Sequence, residues 1–240
     1  MKNTVFTFKR YEKKYLMTAE QFEALWQALA PHVRPDEYGH SVVCSVYYDT
    51  EDFALIRHSL DKPVYKEKLR VRSYGVPDAE GTVFVELKKK FKGVVYPRRI
   101  QMTAADAERW LAGEQPPPAD DQISREIAWF LRVNAVRPRV FIGCDRDAFV
   151  ARDDPDLRFT FDRNLRWRDR ELSLTDGAAG EPLLDGDMVL MEIKLPGAAP
   201  LWLAGILNGL RLYPVSFSKY GSCFRRRLFQ QFFDGVMAIA

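Results

Sequence analysis

Apolar and polar positions alternate with period two along much of this chain, which predicts strands whose successive side chains face opposite ways. In residues 65–72 one face carries Tyr65, Glu67, Leu69 and Val71, and the other carries Lys66, Lys68, Arg70 and Arg72. Four cations on one strand face repel one another unless an anion lies opposite. Similar alternation predicts strands at 4–15, 41–48, 82–90, 94–102, 139–150, 157–167 and 188–195. In the last of these Val189, Met191, Ile193 and Leu195 point to a core, with Glu192 and Lys194 on the other face. Gly93 marks a turn, and Pro97 argues for an edge position in the strand after it.

Helical spacing interrupts the strands. Thr18-Ala19-Glu20-Gln21 has the form of a capping box, followed by Phe22, Leu25, Trp26 and Leu29, with Pro31 limiting the helix. Further helices are predicted from Thr103 to near Gly113, at 123–133, at 201–212 and at 224–237. The run Gln115-Pro116-Pro117-Pro118 is a stiff spacer, taken as an insertion between elements, and 176–187 reads as loop. The short loops imply hairpins and an antiparallel sheet. Its charged face meets water in an open sheet, or lines a water-filled interior in a closed barrel. The expected class is α+β, with residues 1–240 forming one domain.

The 47% hydrophobic content supplies a sizeable core. The net charge of +3 is too balanced for a chain coated in nucleic acid, which is not an expected partner. Cys44, Cys144 and Cys223 form no disulfide framework or metal-spaced cluster, and His32, His40 and His58 are equally scattered. This usage, with no membrane-length apolar run and no signal-peptide core, leads to the expectation of a reduced, cytoplasmic setting.

Three strands contain Glu-x-Lys on one face: Glu12/Lys14, Glu86/Lys88 and Glu192/Lys194. Arg70, Arg72, Arg146, Arg158 and Arg166 add cations at strand parity. Each pair alone reads as a surface ion pair of little energetic weight. Together they describe a surface with many cations and few carboxylates. Guanidinium and ammonium groups suit phosphate oxygens. The carboxylates suit a hard divalent cation that bridges to phosphate. No Walker loop or kinase-type glycine loop is present, so any nucleotide is held by its phosphates through side chains.

The segments Arg70-Val71-Arg72, Val85-Glu86-Leu87-Lys88, Asp145-Arg146-Asp147-Ala148-Phe149, Leu157-Arg158-Phe159-Thr160-Phe161-Asp162, Met191-Glu192-Ile193-Lys194-Leu195 and Phe217-Ser218-Lys219-Tyr220, with Ser45-Val46-Tyr47-Tyr48-Asp49-Thr50, resemble the motifs of the VTC domain among the triphosphate tunnel metalloenzymes. The resemblance runs from about Phe8 to Tyr220. It implies an antiparallel β-barrel shaped as a tunnel with flanking helices. It also implies an inorganic polyphosphate polymerase that uses ATP with Mn2+ or Mg2+. Carried over by position, Arg70, Arg72, Lys88, Arg146, Arg158 and Lys194 act on the reacting phosphates, and Lys14, Ser218 and Lys219 bind substrate. Glu192 is the principal metal ligand, and Glu86 contributes directly or through water. Arg166 extends the substrate-binding set by strand parity. Family members often work beside membrane components, which implies a membrane-protein partner.

Two positions depart from the family pattern. Ser216 stands where the family has a basic residue. Tyr96-Pro97 occupies the strand in which another is expected, so Arg98 or Arg99 substitutes, and Arg98 is the residue assigned to substrate. The alternatives to polymerisation are hydrolysis of a triphosphate and polyphosphate binding without turnover.

Overall fold

The structure, a computed structural model, describes residues 11–92 and 94–229. The strand expected before Tyr11, the turn at Gly93 and the helix expected beyond Phe229 lie outside them. In chain order the elements are β1 (Tyr11–Thr18), α1 (Ala19–Leu29), β2 (Val33–Asp49), α2 (Ala54–Leu60), β3 (Tyr65–Tyr74), β4 (Thr82–Phe91) and β5 (Val94–Thr103). There follow α3 (Ala104–Leu111), α4 (Gln122–Val133), β6 (Arg137–Ala151), β7 (Arg158–Arg168), β8 (Glu181–Pro182), β9 (Met188–Leu195), α5 (Leu201–Gly209) and α6 (Lys219–Cys223). The fold is α+β, and the strand pairs described below are antiparallel, as the short connections require.

The chain forms two compact units that are interleaved along the sequence. One comprises residues up to Ser41, Asp145–Asn164 and Leu184–Ser216; the other comprises Val42–Cys144, Leu165–Leu183 and Phe217 onward.

In the first unit β9 pairs with β1 on one side and β7 on the other. The period-two pattern sends Tyr15, Met17, Phe159, Phe161, Met191 and Ile193 into a core closed by Phe22, Leu25 and Leu29 of α1 and by Leu203 and Leu207 of α5. The capping box forms as expected. Gln21 N–H donates to Thr18 Oγ1 over 3.2 Å, and Thr18 N–H donates to Gln21 Oε1 over 3.0 Å. This fixes where α1 starts, and so delivers Phe22 edge-on to Phe161 with ring centroids 5.2 Å apart.

In the second unit the order is β2-β3-β4-β5. Its core takes Leu69 and Val71 from β3 and Val83, Val85 and Leu87 from β4. Trp110 of α3 and Ile127 and Phe130 of α4 pack on it. Among the described ladders β5 is paired through β4 alone, which accommodates Pro97 within it. A two-residue strand, β8, pairs with β7 inside the segment expected to be loop.

Helix α2 was not expected from the periodicity. Its start is set by side chains from outside the helix. Asp49 Oδ1 accepts from Leu55 N–H over 2.9 Å, Asp49 Oδ2 from Ile56 N–H over 3.0 Å, and Thr50 Oγ1 from Ala54 N–H over 2.8 Å. At the other end of the chain the helix begins earlier than expected, at Lys219, with Ser218 as its cap; Gly221 N–H donates to Ser218 Oγ over 3.2 Å. It continues as a π-helical turn over Phe224–Leu228.

Candidate functional site

In the second unit the strand register sorts the charges. Leu69, Val71 and Ser73 of β3 are buried on the core side, while Lys66, Lys68, Arg70 and Arg72 are half-buried on the other. Across the ladders Arg70 stands opposite Glu86 and Tyr47, and Arg72 opposite Phe84 and Ser45. Lys68 faces Lys88, and Lys66 faces Lys90. Beyond β4, Glu86 faces Arg99 and Lys88 faces Pro97. This face therefore gathers seven cations (Lys66, Lys68, Arg70, Arg72, Lys88, Lys90 and Arg99) around one ladder carboxylate, Glu86. Like charges directly opposite on neighbouring strands oppose folding unless an anion joins them.

Glu86 is the anchor of the set. Its Oε2 accepts from Arg70 Nε over 2.6 Å, and Arg99 Nε lies 3.6 Å from its Oε1. Burial pushes the carboxyl up, but the guanidinium groups of Arg70, Arg72 and Arg99 outweigh it and hold it below the usual carboxylate range. Lys66 is lowered from its ordinary value, first by burial and then by Lys90 and Lys62. Lys68 Nζ donates to Ser218 Oγ over 3.0 Å, which ties the cap of α6 to β3. Ser218 is thus brought to the cationic strand, with Lys219 next to it in the chain. Arg166 lies elsewhere in this unit on β7, where its Nε donates to Ala178 carbonyl oxygen.

Arg98 requires correction. In the register it pairs with Leu87 and so belongs to the opposite face. There its Nε donates to Glu126 of α4 over 3.0 Å, beside Lys89, whose Nζ donates to the same oxygen over 2.7 Å. Arg99 occupies the cationic face instead, its guanidinium 3.4 Å from the Phe84 ring centroid. Alternation along β5 allows one of the two arginines on each face, and the choice follows from Pro97 being opposite Lys88.

In the first unit, two Glu-x-Lys pairs meet in antiparallel register. Glu12 faces Lys194, and Lys14 faces Glu192. On the other side of β9, Arg158 faces Lys194 and Thr160 faces Glu192. Lys14 Nζ is 3.4 Å from Glu192 Oε2. Arg146 is held as a fork on Asp162, Nε to Oδ1 over 2.6 Å and Nη2 to Oδ2 over 2.8 Å, and Asp162 is fully buried. Lys14, Arg146, Arg158, Glu192 and Lys194 therefore belong to this unit. Arg70, Arg72, Glu86, Lys88, Ser218 and Lys219 belong to the other.

Among the described residues no group of three or more His, Cys, Asp or Glu side chains could hold a metal ion. Glu86 stands among the cations of its ladders, and Glu192 stands opposite Lys14, with Glu12 diagonal to it across β1. That donor set fits a hard divalent cation bound through one carboxylate, with phosphate oxygens and water completing its shell. It does not fit a site built from protein ligands alone.

Three residues outside the sequence-based set belong to the cationic face. Tyr47 accepts from Arg70 Nη1 over 3.2 Å, and its ring stacks on Tyr220 with centroids 4.9 Å apart. Ser45 Oγ accepts from Arg72 Nε over 3.4 Å. Asp49 accepts from Tyr220 Oη over 2.8 Å. The signal for them is the polar alternation Ser45-x-Tyr47-x-Asp49 in the otherwise apolar stretch 42–49.

The VTC domain family matches residues 9–226 of the chain. A curated relative, vacuolar transporter chaperone complex subunit 4 of Trypanosoma brucei brucei (strain 927/4 GUTat10.1), is 24% identical over 219 residues, covering 75% of this chain. The chain spans 28% of that relative's length. Among solved structures, a Hippeastrum protein with a dominant triphosphatase activity superposes with a TM-score of 0.48 at 17% identity, covering 89% of this chain and 94% of that one. The PH1819 protein of Pyrococcus horikoshii OT3 gives 0.42 at 11% identity, covering 90% of this chain and 100% of its own. Among the described residues no helix is long and apolar enough to cross a membrane.

Proposed function

This chain belongs to the VTC domain family, and from that premise we propose that it transfers the γ-phosphate of ATP to a growing inorganic polyphosphate chain. The observation that carries the reading is the facing of like charges across strands: Lys68 with Lys88, Lys66 with Lys90, and Arg158 with Lys194. A multivalent anion removes the repulsion in each case, and a linear phosphate offers oxygens at successive positions along a strand.

In this reading Arg70, Arg72 and Lys88 in one unit, and Arg146, Arg158 and Lys194 in the other, are the residues that act on phosphate. Lys14, Ser218, Lys219 and Arg99 bind the substrate chain, with Arg99 in the place first assigned to Arg98, and Arg166 adds a cation on β7. Glu192 holds a divalent cation, Mn2+ or Mg2+, with Glu86 in second place. When bound, that cation neutralises charge on the phosphate oxygens. The side chains orient the donor and acceptor phosphates and disperse the charge that develops between them. No protein nucleophile is needed, since the terminal oxygen of the acceptor attacks directly. The relative is a subunit of a complex, and we extend that to this chain as a membrane-associated partner.

Triphosphate hydrolysis is the second reading. It is favoured by Pro97 standing opposite Lys88, where a cation would help guide a long product.

The test is incubation of the protein with γ-labelled ATP and Mn2+, followed by gel resolution. A ladder of labelled polyphosphate is expected. Labelled orthophosphate alone means a hydrolase, and bound polyphosphate without turnover means a binding module. Glu192→Ala is expected to retain phosphate binding and lose turnover; full activity in that variant removes the metal assignment.

A further inference from the structure

We infer that Tyr47 is a further ligand-binding residue of the cationic face, its phenol donating a hydrogen bond to an oxygen of the phosphate held by Arg70. The inference rests on the phosphate-binding reading above and adds a residue to it.

The hydroxyl oxygen of Tyr47 accepts from Arg70 Nη1 over 3.2 Å. Among the described residues its own proton meets no acceptor. The side chain is only 7% exposed, so water is a poor substitute. A buried donor without an acceptor is costly and calls for an explanation. Here the surroundings supply one. Arg70 and Arg72 face the phenol from β3, Lys219 and Tyr220 face it from α6, and Glu86 on β4 is engaged by Arg70. Asp49, on Tyr47's own strand, is taken up by Tyr220 and the start of α2. The acceptor that such a set lacks is an anion.

The geometry also holds the donor in place. Tyr47 lies directly opposite Arg70 in the β2–β3 register, and its ring stacks on Tyr220 with an interplanar angle of 24°. A phosphate oxygen approaching the Arg70 guanidinium therefore meets the phenol hydrogen from the adjoining strand. Only the neutral phenol can donate; the phenolate would repel the ligand. Burial raises the Tyr47 phenol, but Arg70, Arg72 and Lys219 outweigh it and bring it down to about 8. The donor form is thus present at neutral pH and lost just above it.

The experiment is titration calorimetry of tripolyphosphate into the wild-type protein and Tyr47→Phe at pH 7 and pH 9. Phe keeps the ring stack and removes only the hydroxyl. At pH 7 the variant is expected to bind about tenfold more weakly, the scale of one hydrogen bond to a charged group. At pH 9 the two affinities converge, and the variant reports the ligand's own titration. Equal affinities at pH 7, or parallel pH profiles, overturn the role of Tyr47 while leaving the phosphate-binding reading intact. No binding by the wild-type protein overturns that reading and this one with it. If Tyr47→Phe does not fold, the absorbance titration of wild-type tyrosines decides. Tripolyphosphate is expected to raise the titration midpoint of one tyrosine, and an unmoved midpoint overturns the inference.

Discussion

Tyr220 donates its phenol hydrogen to the carboxylate of Asp49 over 2.8 Å, and both groups are buried. This contact fastens the segment bearing Ser218 and Lys219 to the end of β2. The same carboxylate accepts from the backbone N–H groups of Thr50, Leu55 and Ile56, so one buried charge organises both α2 and α6.

Tyr220→Phe removes one donor from that carboxylate and is expected to cost about 1–3 kcal/mol of stability. The pH dependence has a definite sign. Burial raises Asp49 above its ordinary value, against the hydrogen bonds from Tyr220 and the backbone that lower it. A raised carboxyl contributes stability that is present below the ordinary carboxylate range and lost as pH rises through its folded value. Losing the Tyr220 donor raises Asp49 further. Thermal melts should therefore show the variant's deficit largest at neutral pH and smaller in acid. An equal deficit at both would mean that the ring environment, not the carboxylate contact, is responsible.

Arg146 and Arg158 are expected to part company on truncation. Arg146→Ala strands the fully buried Asp162 carboxylate and should cost about 3–5 kcal/mol. Adding Asp162→Asn should restore part of that loss. Among the described residues Arg158 is paired with no buried acid, its Nε donating to the Pro155 carbonyl over 3.4 Å, and Arg158→Ala should change stability by no more than about 0.5 kcal/mol. Chemical denaturation of the three proteins checks this. Equal losses for the two single variants would remove the structural role given to Asp162.

Arg98 and Arg99 make an internal control on the strand face. Arg99→Ala should weaken tripolyphosphate binding severalfold. Arg98→Ala should leave binding near wild type and lower stability modestly. Burial pushes Glu126 up, but Lys89, Gln122 and Arg98 hold it down at about 2, and Lys89 still engages it once Arg98 is gone. Calorimetry and melting of both variants settle the assignment, and the reverse pattern would place the register of β5 in error.

The amino-acid pattern alone marked the strands other than the two-residue β8 and showed which of their faces is charged. Side chains alternate by simple geometry, so Leu69, Val71, Val85 and Leu87 turn to the core of one unit, and Met191 and Ile193 to the core of the other. Helix α1 was equally legible, since Thr18 and Gln21 are local to its start. The cationic row of β3 and the Glu-x-Lys pairs were visible for the same reason. What only the tertiary structure decided is which groups meet. The register put Arg99 rather than Arg98 beside Glu86, set Lys68 against Lys88, and brought Tyr220 to Asp49 across 171 residues of chain. A short helix such as α2, whose N-terminus is capped from outside by the buried Asp49, leaves little trace in local periodicity. Cross-strand pairing depends on the alignment of segments distant in sequence, and that alignment is fixed by packing, not by any one strand's own pattern.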